Sequence, residues 1–173
     1  GRDVCPARSL TEEKMRKSER AITAFEEIRS VIDRSQVVRL GLFGGEYPYV
    51  VPLSFGYEVR DGNIFVYFHC ATEGKKVDCM ARDGRVCLEF DLFHGYVETG
   101  HSLTADYESV IAFGTVRRCT GEERIRGLKA LLEHTGYPQV SAEACAALPI
   151  VEVFCVTCEE ITGKRRFPRP ARS

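Results

Sequence analysis

The chain has 173 residues, 44% of them hydrophobic, which suits one domain with its own core. A formal net charge of −1, with 28% charged residues, excludes whole-molecule steering toward nucleic acid or an acidic membrane. No apolar run is long enough to span a bilayer as a helix.

Residues 1–14 are charged and lack an apolar stretch, so no secretory signal is read there and a cytoplasmic location is expected. They are taken as an N-terminal extension, with the folded domain over 15–166 and a basic tail over 167–173. In that setting the eight cysteines are expected as reduced thiols rather than a disulfide framework. Cys155-Val-Thr-Cys158 fits a CxxC pattern but lies in a strand-like run, where residues three apart face opposite sides. A redox CxxC would open a helix, and a zinc site would need a second ligand pair that is absent.

In chain order, Thr23-x-x-Glu26 has the form of a capping box, and Phe25, Ile28, Val31 and Ile32 follow at helical spacing, predicting a helix over 24–34. Val37–Phe43 is a β-branched strand, and Gly44-Gly45 a turn. Tyr47–Val59 is a second strand, irregular or edge-lying because Pro48 and Pro52 cannot donate to a ladder. Asp61-Gly62 is a hairpin signal, and Asn63–His69 the returning strand. A helix from Gly74 turns Val77 and Met80 inward and ends near Asp83-Gly84. Val86–Asp91 is a fourth strand; 92–104 reads as a long loop with His94 and His101 solvated; Tyr107–Arg118 is a fifth. Thr120-x-x-Glu123 resembles another capping box before a helix bearing Ile125, Leu128, Leu131 and Leu132, broken at Gly136-Tyr-Pro. Ser141–Ala147 gives one or two helical turns, and Ile150–Thr157 the sixth strand. The tail from Gly163, with Lys164, Arg165, Arg166, Arg169 and Arg172, reads as solvated, the alternative being a cap over an anionic ligand. The order of elements predicts a mainly β fold with flanking helices: a six-stranded antiparallel barrel, closed or split.

The most informative stretch is Phe68-His-Cys-Ala-Thr-Glu-Gly-Lys-Lys76, where an alternating strand gives way to a helix. Gly74 lets the backbone approach a ligand, the first helical N–H groups lack partners, and Lys75 and Lys76 add two point charges. This corner predicts a phosphate; the alternative is a solvated lysine pair on an ordinary helix start. There is no Gly-x-Ser-x-Gly elbow for a serine hydrolase and no GxGxxG fingerprint after a strand.

Seven short motifs occur in order: Met15-Arg-Lys-x-x-Arg-x-Ile22, Arg39-Leu-Gly-Leu42, Tyr49-Val-Val-Pro-Leu-Ser-Phe-Gly-Tyr57, Tyr67-Phe-His-Cys-Ala-x-Glu-Gly-Lys-Lys76, Arg85-Val-Cys-Leu-Glu89, Tyr107-Glu-Ser-Val-Ile-Ala-Phe-Gly114 and Glu160-Ile-Thr-Gly-Lys164. Together they resemble the nitroimidazole-resistance (Nim) branch of the pyridoxamine 5′-phosphate oxidase-like flavoproteins. The resemblance implies a six-stranded split β-barrel, a homodimer with FMN at the subunit interface, and electron transfer to a small-molecule acceptor such as a nitroaromatic. It implies that Val50, Val51, Pro52, Leu53 and Ser54 lie along the flavin ring, and that Phe68, His69, Cys70 and Ala71 border the ring and ribityl chain. Lys75 and Lys76 would take the phosphate, and Ser109 would reach the flavin held mainly by the partner. His69 would be the catalytic proton source. No metal, nucleic acid or membrane partner is implied. A flavin- or haem-binding barrel without turnover is the alternative, with His69 as an iron ligand in the haem case. Pyridoxamine phosphate oxidation itself would need a second phosphate site, for which Arg165-Arg-Phe-Pro168 is only a faint match. The chain departs from the branch at His101–Asp106, which lacks the usual tryptophan and arginines, and at Glu108, where a basic residue is common. The resemblance therefore carries over the cofactor site but not the substrate.

Overall fold

The computed structural model describes residues 18–169. The 1–14 extension, the start of the first motif, Cys5 and Arg172 lie outside the described residues. A 3-10 turn, Ser18–Arg20, leads into β1 (Ala21–Ile22) and α1 (Phe25–Arg34). Next come β2 (Val38–Leu42), β3 (Tyr49–Leu53), β4 (Gly56–Arg60), β5 (Asn63–Cys70) and α2 (Lys75–Arg82). β6 (Arg85–Thr99), β7 (Ser102–Arg118), α3 (Gly121–His134), α4 (Ala142–Ala146) and β8 (Glu152–Arg165) complete the order.

The sheet is antiparallel and runs β3-β2-β6-β7-β8-β5-β4, with β1 added to β8. It has eight strands where six were expected, and its ends, β3 and β4, are not hydrogen-bonded to each other. The expected second strand is two strands, parted at Ser54-Phe55, and β1 is the other addition. Pro52 pairs with Arg39 of β2 in the end strand β3, where a missing donor is tolerated. The hairpin at Asp61-Gly62 has φ of 51° and 77°, the two positive values of a type I′ turn.

Alternation places the core. Val38, Leu40 and Leu42 of β2, Ile64, Val66 and Phe68 of β5, and Val86, Leu88 and Phe90 of β6 point into the main core. Ile28, Val31 and Ile32 of α1 close that core, each contributing about 1.5–3 kcal/mol by burial. A second cluster lies on the other side of β5 and β8, where α3 and α4 cover Tyr67, Val153 and Cys155. This explains why β5 and β8 read as nearly continuous apolar runs. The two cysteines of the CxxC fall on opposite sides: Cys155 in the second cluster, Cys158 in the main core, where burial pushes its thiol up to about 12. The seven cysteines among the described residues are free.

Three local expectations fail for physical reasons. Neither capping box forms. Ala24 rather than Thr23 stands at the N-cap of α1; Thr120 stands at the N-cap of α3 but makes no side-chain cap bond, and the Glu123 carboxylate that would complete the box is paired with Arg117 instead. Residues 92–104 are not a loop. β6 and β7 continue as a paired arm to Thr99 and Ser102, joined by Gly100-His101 with Gly100 at φ 62°. The bulge between Phe93 and Gly95 inserts His94 and breaks the alternation that would have disclosed the strand. The basic tail, as far as Arg169, is not solvated: Lys164 and Arg165 belong to β8, and the Arg166 N–H donates to the Tyr107 carbonyl at 3.0 Å.

Gly56 of β4 lies directly under α3. A Cβ there would strike the backbone at Ala130 and Leu131. Gly56→Ala should therefore cost about 3 kcal/mol, read as a lower urea midpoint with unchanged slope.

Candidate functional site

β5 ends at Cys70 and α2 begins at Lys75, with Gly74 at its N-cap. Gly74 has φ 129° and ψ 168°, and a Cβ there would meet no atom within 4 Å. The backbone conformation, not crowding, therefore asks for glycine. The Lys75 ammonium sits 4.4 Å from the centre of the Tyr49 ring. That contact brings the helix start beside β3, although β3 and β5 are far apart along the hydrogen-bonded path. Two cations, a glycine-opened helix start and an end strand thus share one corner.

The expected residues divide by where their side chains point. Val50, Pro52 and Ser54 are exposed, while Val51 and Leu53 are half-buried, with Leu53 packed on the main core. Phe68 is fully buried and stacks on Phe154 with ring centroids 5.7 Å apart, so only its backbone can border a ligand. His69 and Ala71 are exposed at the strand end. Cys70 is half-buried; burial raises its thiol above the usual range, and the Lys76 ammonium pulls the other way. Ser109 lies on β7, in register with Asp91 of β6 and Lys164 of β8. Alternation turns it to the outer face, along with Ile111 and Phe113.

The outer face carries a cleft of about 550 Å³. Phe43, Tyr47, Arg85, Cys87, Phe113 and Glu159 are among its walls, which include none of the expected cofactor residues. The Arg85 guanidinium lies 4.9 Å from the centre of the Phe43 ring. A neighbouring depression of about 440 Å³ shares Gly41 and Cys87 with that cleft and includes Val50. There Arg39 bonds Glu89 at 3.0 Å and also pairs with Asp91. The α2 corner has the better chemistry for an anion: among the described residues no carboxylate is ion-paired with Lys75 or Lys76, whereas Arg39 is held by Glu89 and Asp91.

One cluster escaped the sequence reading. Glu108, 2% exposed, accepts hydrogen bonds from both terminal nitrogens of Arg34 at 2.9 and 3.0 Å. His94 Nε2 lies 2.9 Å from the same carboxylate, so His94, though exposed as expected, sits at the β6 bulge with a carboxylate partner and not free in a loop. Arg169 approaches it to 3.7 Å and bonds Asp106 at 2.6 Å. Burial pushes the Glu108 carboxyl upward, but hydrogen bonds from Arg34 and His94, with their charges, outweigh it and hold the group below its ordinary value. The knot joins α1, the root of the β6–β7 arm and the tail. Its signal was available: carrying the alternation of Val110 and Ala112 back one step puts Glu108 on the core face.

Among the described residues no group of three His, Cys, Asp or Glu side chains is placed to hold a metal ion, and no helix is long and apolar enough to cross a membrane. Residues 25–165 match the family described as pyridoxamine 5′-phosphate oxidase. The chain is similar in structure to a candidate 5-nitroimidazole antibiotic resistance protein of Bacteroides thetaiotaomicron, at 30% identity over 83% of this chain and 85% of that one, with a TM-score of 0.72. The fold is shared with an FAD and heme binding protein of Mycobacterium smegmatis, at 18% identity over 89% and 77% of the two chains, TM-score 0.71. It is shared too with a flavocytochrome of Azotobacter vinelandii, at 20% identity over 92% and 75%, TM-score 0.69. No curated protein gives a significant match. The match over 25–165, and the 30% identity carried along most of both chains, show that this chain belongs to the pyridoxamine 5′-phosphate oxidase family.

Proposed function

We propose that the chain is an FMN-binding oxidoreductase that works as a homodimer in the cytoplasm and passes electrons to a small-molecule acceptor of the nitroaromatic class. The observation that carries this reading is the α2 corner: Gly74, Lys75 and Lys76 at a helix start, held against the end strand β3 by the Lys75–Tyr49 contact. The donor set fits a phosphate monoester, with helical N–H groups and two ammonium groups facing one anion. When bound there, FMN supplies the electron chemistry. The rest falls to the chain. Lys75 and Lys76 fix the phosphate end. The exposed stretch Val50–Ser54 offers backbone groups and the flat face of Pro52 to the ring, with Val51 and Leu53 as backing. The backbone of Phe68, with Cys70 and Ala71, borders the ribityl side. His69, exposed at the end of β5, holds a proton on its ring nitrogen for the acceptor. Ser109 serves the site of the partner subunit.

The test is an anaerobic one. Protein loaded with FMN and reduced by light should be reoxidised on mixing with a 5-nitroimidazole, and His69→Ala should slow that step while leaving FMN bound. Absence of reoxidation by any nitro compound would remove the proposed acceptor class. A haem-binding barrel is the alternative reading; the Mycobacterium smegmatis protein that shares this fold is an FAD and heme binding protein. A Soret band in the purified protein would support it against the flavin reading.

A further inference from the structure

The second cluster holds two thiols side by side. Cys119 and Cys155 are 2% and 0% exposed and belong to the same small group under α3 and α4. Their placement follows from strand register. The Cys119 N–H donates to the Val153 carbonyl at 2.8 Å, which sets Cys119 opposite Val153 just past the end of β7. Arg117 is opposite Cys155. Side chains alternate along a strand, so Cys155 stands one diagonal step from Cys119 on the same face of the sheet. Diagonal neighbours lie about 7 Å apart at the backbone and closer at Cβ, the upper edge of what a disulfide spans. Strand twist draws one diagonal inward and opens the other. Here the cysteine diagonal is the one that closes, for the two thiols hydrogen-bond each other.

The pair is unequal. The hydrogen bond with Cys119 holds the Cys155 thiol below its ordinary value against the effect of burial, and the Arg117 guanidinium, opposite it on β7, adds to that. The same bond pushes the Cys119 thiol up. A lowered thiol beside a cation is the attacking member of a pair, and its neighbour resolves the product. Other cysteines lie elsewhere: Cys79 and Cys158 in the main core, Cys70 at the end of β5 and Cys87 on β6. The cover over the pair is thin. α4 has only 5 residues and lays small side chains, Ala142, Cys145 and Ala146, against the cluster. A short element with few buried contacts opens at low cost, which admits a small oxidant.

We propose that Cys119 and Cys155 form a reversible disulfide when the chain meets a hydroperoxide, fastening the start of α3 to β8. The Cys155 sulfur attacks one peroxide oxygen and the O–O bond breaks. The thiol proton passes to the departing oxygen, leaving Cys155 as a sulfenic acid. The Cys119 sulfur then attacks the Cys155 sulfur, the S–O bond breaks, and the oxygen leaves as water with the Cys119 proton. Each sulfur is oxidised by one electron and each peroxide oxygen is reduced by one. With hydrogen peroxide the products are one disulfide and two waters. The bridge closes a loop that carries α3 and α4, so it restrains the unfolded chain and raises stability. This device rests on the thiol pair and not on the flavin reading.

The test is hydrogen peroxide added to the full folded chain, followed by blocking of free thiols in denaturant and mass mapping of peptides. Cys119 and Cys155 should be recovered linked to each other, ahead of any other linked pair. The thermal midpoint should rise, and fall back on addition of a thiol reductant. Cys87→Ala, on β6 and outside the cluster, should behave as the parent. Cys119→Ala and Cys155→Ala should each give neither this link nor the rise. The map of the parent decides the question even where a variant folds poorly. Both cysteines still free after the other thiols have reacted, a link that forms only in urea, or a midpoint that does not rise would each overturn the proposal.

Discussion

Glu108→Ala should unfold with about 3–5 kcal/mol less stability than the parent, the cost of removing one partner from a buried ion cluster. The magnitude follows from what is left behind. Arg34 would lose both hydrogen bonds to the carboxylate, and His94 and Arg169 would lose the charge they face. Arg34 and Arg169 keep side-chain exposures of only 24% and 32%, so water restores part of their solvation but not all. The effect is also pH-dependent with a definite sign. Glu108 has its carboxyl held below the ordinary 4.5 in the folded chain, so its contribution is complete above that value and is lost as pH falls through the folded one. The parent should therefore lose stability in acid. Glu108→Gln, which keeps the shape and removes the charge, should begin lower and fall less steeply over the same acid range. Denaturant unfolding of the three proteins at a series of pH values checks both points. Equal stability of parent and Glu108→Ala near neutral pH would show that the knot adds nothing.

Lys75→Ala with Lys76→Ala should weaken FMN binding by about 3–6 kcal/mol, the sum of two charge-assisted contacts at about 1.5–3 kcal/mol each. That corresponds to a fall of roughly 100-fold to more than 10⁴-fold in affinity. The two lysines need not contribute equally. Lys75 already lies over the Tyr49 ring, and part of its interaction with phosphate replaces that contact. Lys76 is half-buried and nearer Cys70, so its single replacement should cost the more. Fold stability should change little, since Lys75 is exposed and neither lysine is in the core. A fluorescence titration with FMN reads the affinity directly. An unchanged dissociation constant for the double variant would move the phosphate away from α2.

What could be read from the sequence was local. The periodicity of Ile28, Val31 and Ile32 gave α1 to within a residue, Asp61-Gly62 gave its hairpin, and Gly74-Lys-Lys gave the start of α2. The break at Ser54-Phe55 was half visible, as an irregular strand, because two prolines disturb it. What failed depended on residues distant in the chain. Strand β8 was cut short at Thr157 because one extra residue, Glu159, interrupts the pairing of Phe113 with Glu160 and Gly114 with Cys158. The arm was hidden by the His94 insertion and by two glycines that look like loop residues until their partners are known. The tail looked like solvated charge because Asp106 and Glu108, which hold Arg169, lie about 60 positions earlier. At the candidate site the identity of each residue was legible, but its direction was not: alternation cannot tell that Phe68 stacks inward on Phe154 while His69 remains outside.

Denaturing the protein purified from cells, and measuring the mass of whatever small molecule it releases, tests the cofactor assignment most directly. The α2 corner predicts the mass of FMN at close to one molecule per chain, or its uptake in that ratio when the apoprotein is offered FMN. A protein that releases no flavin and takes up none, while remaining folded, would contradict the account.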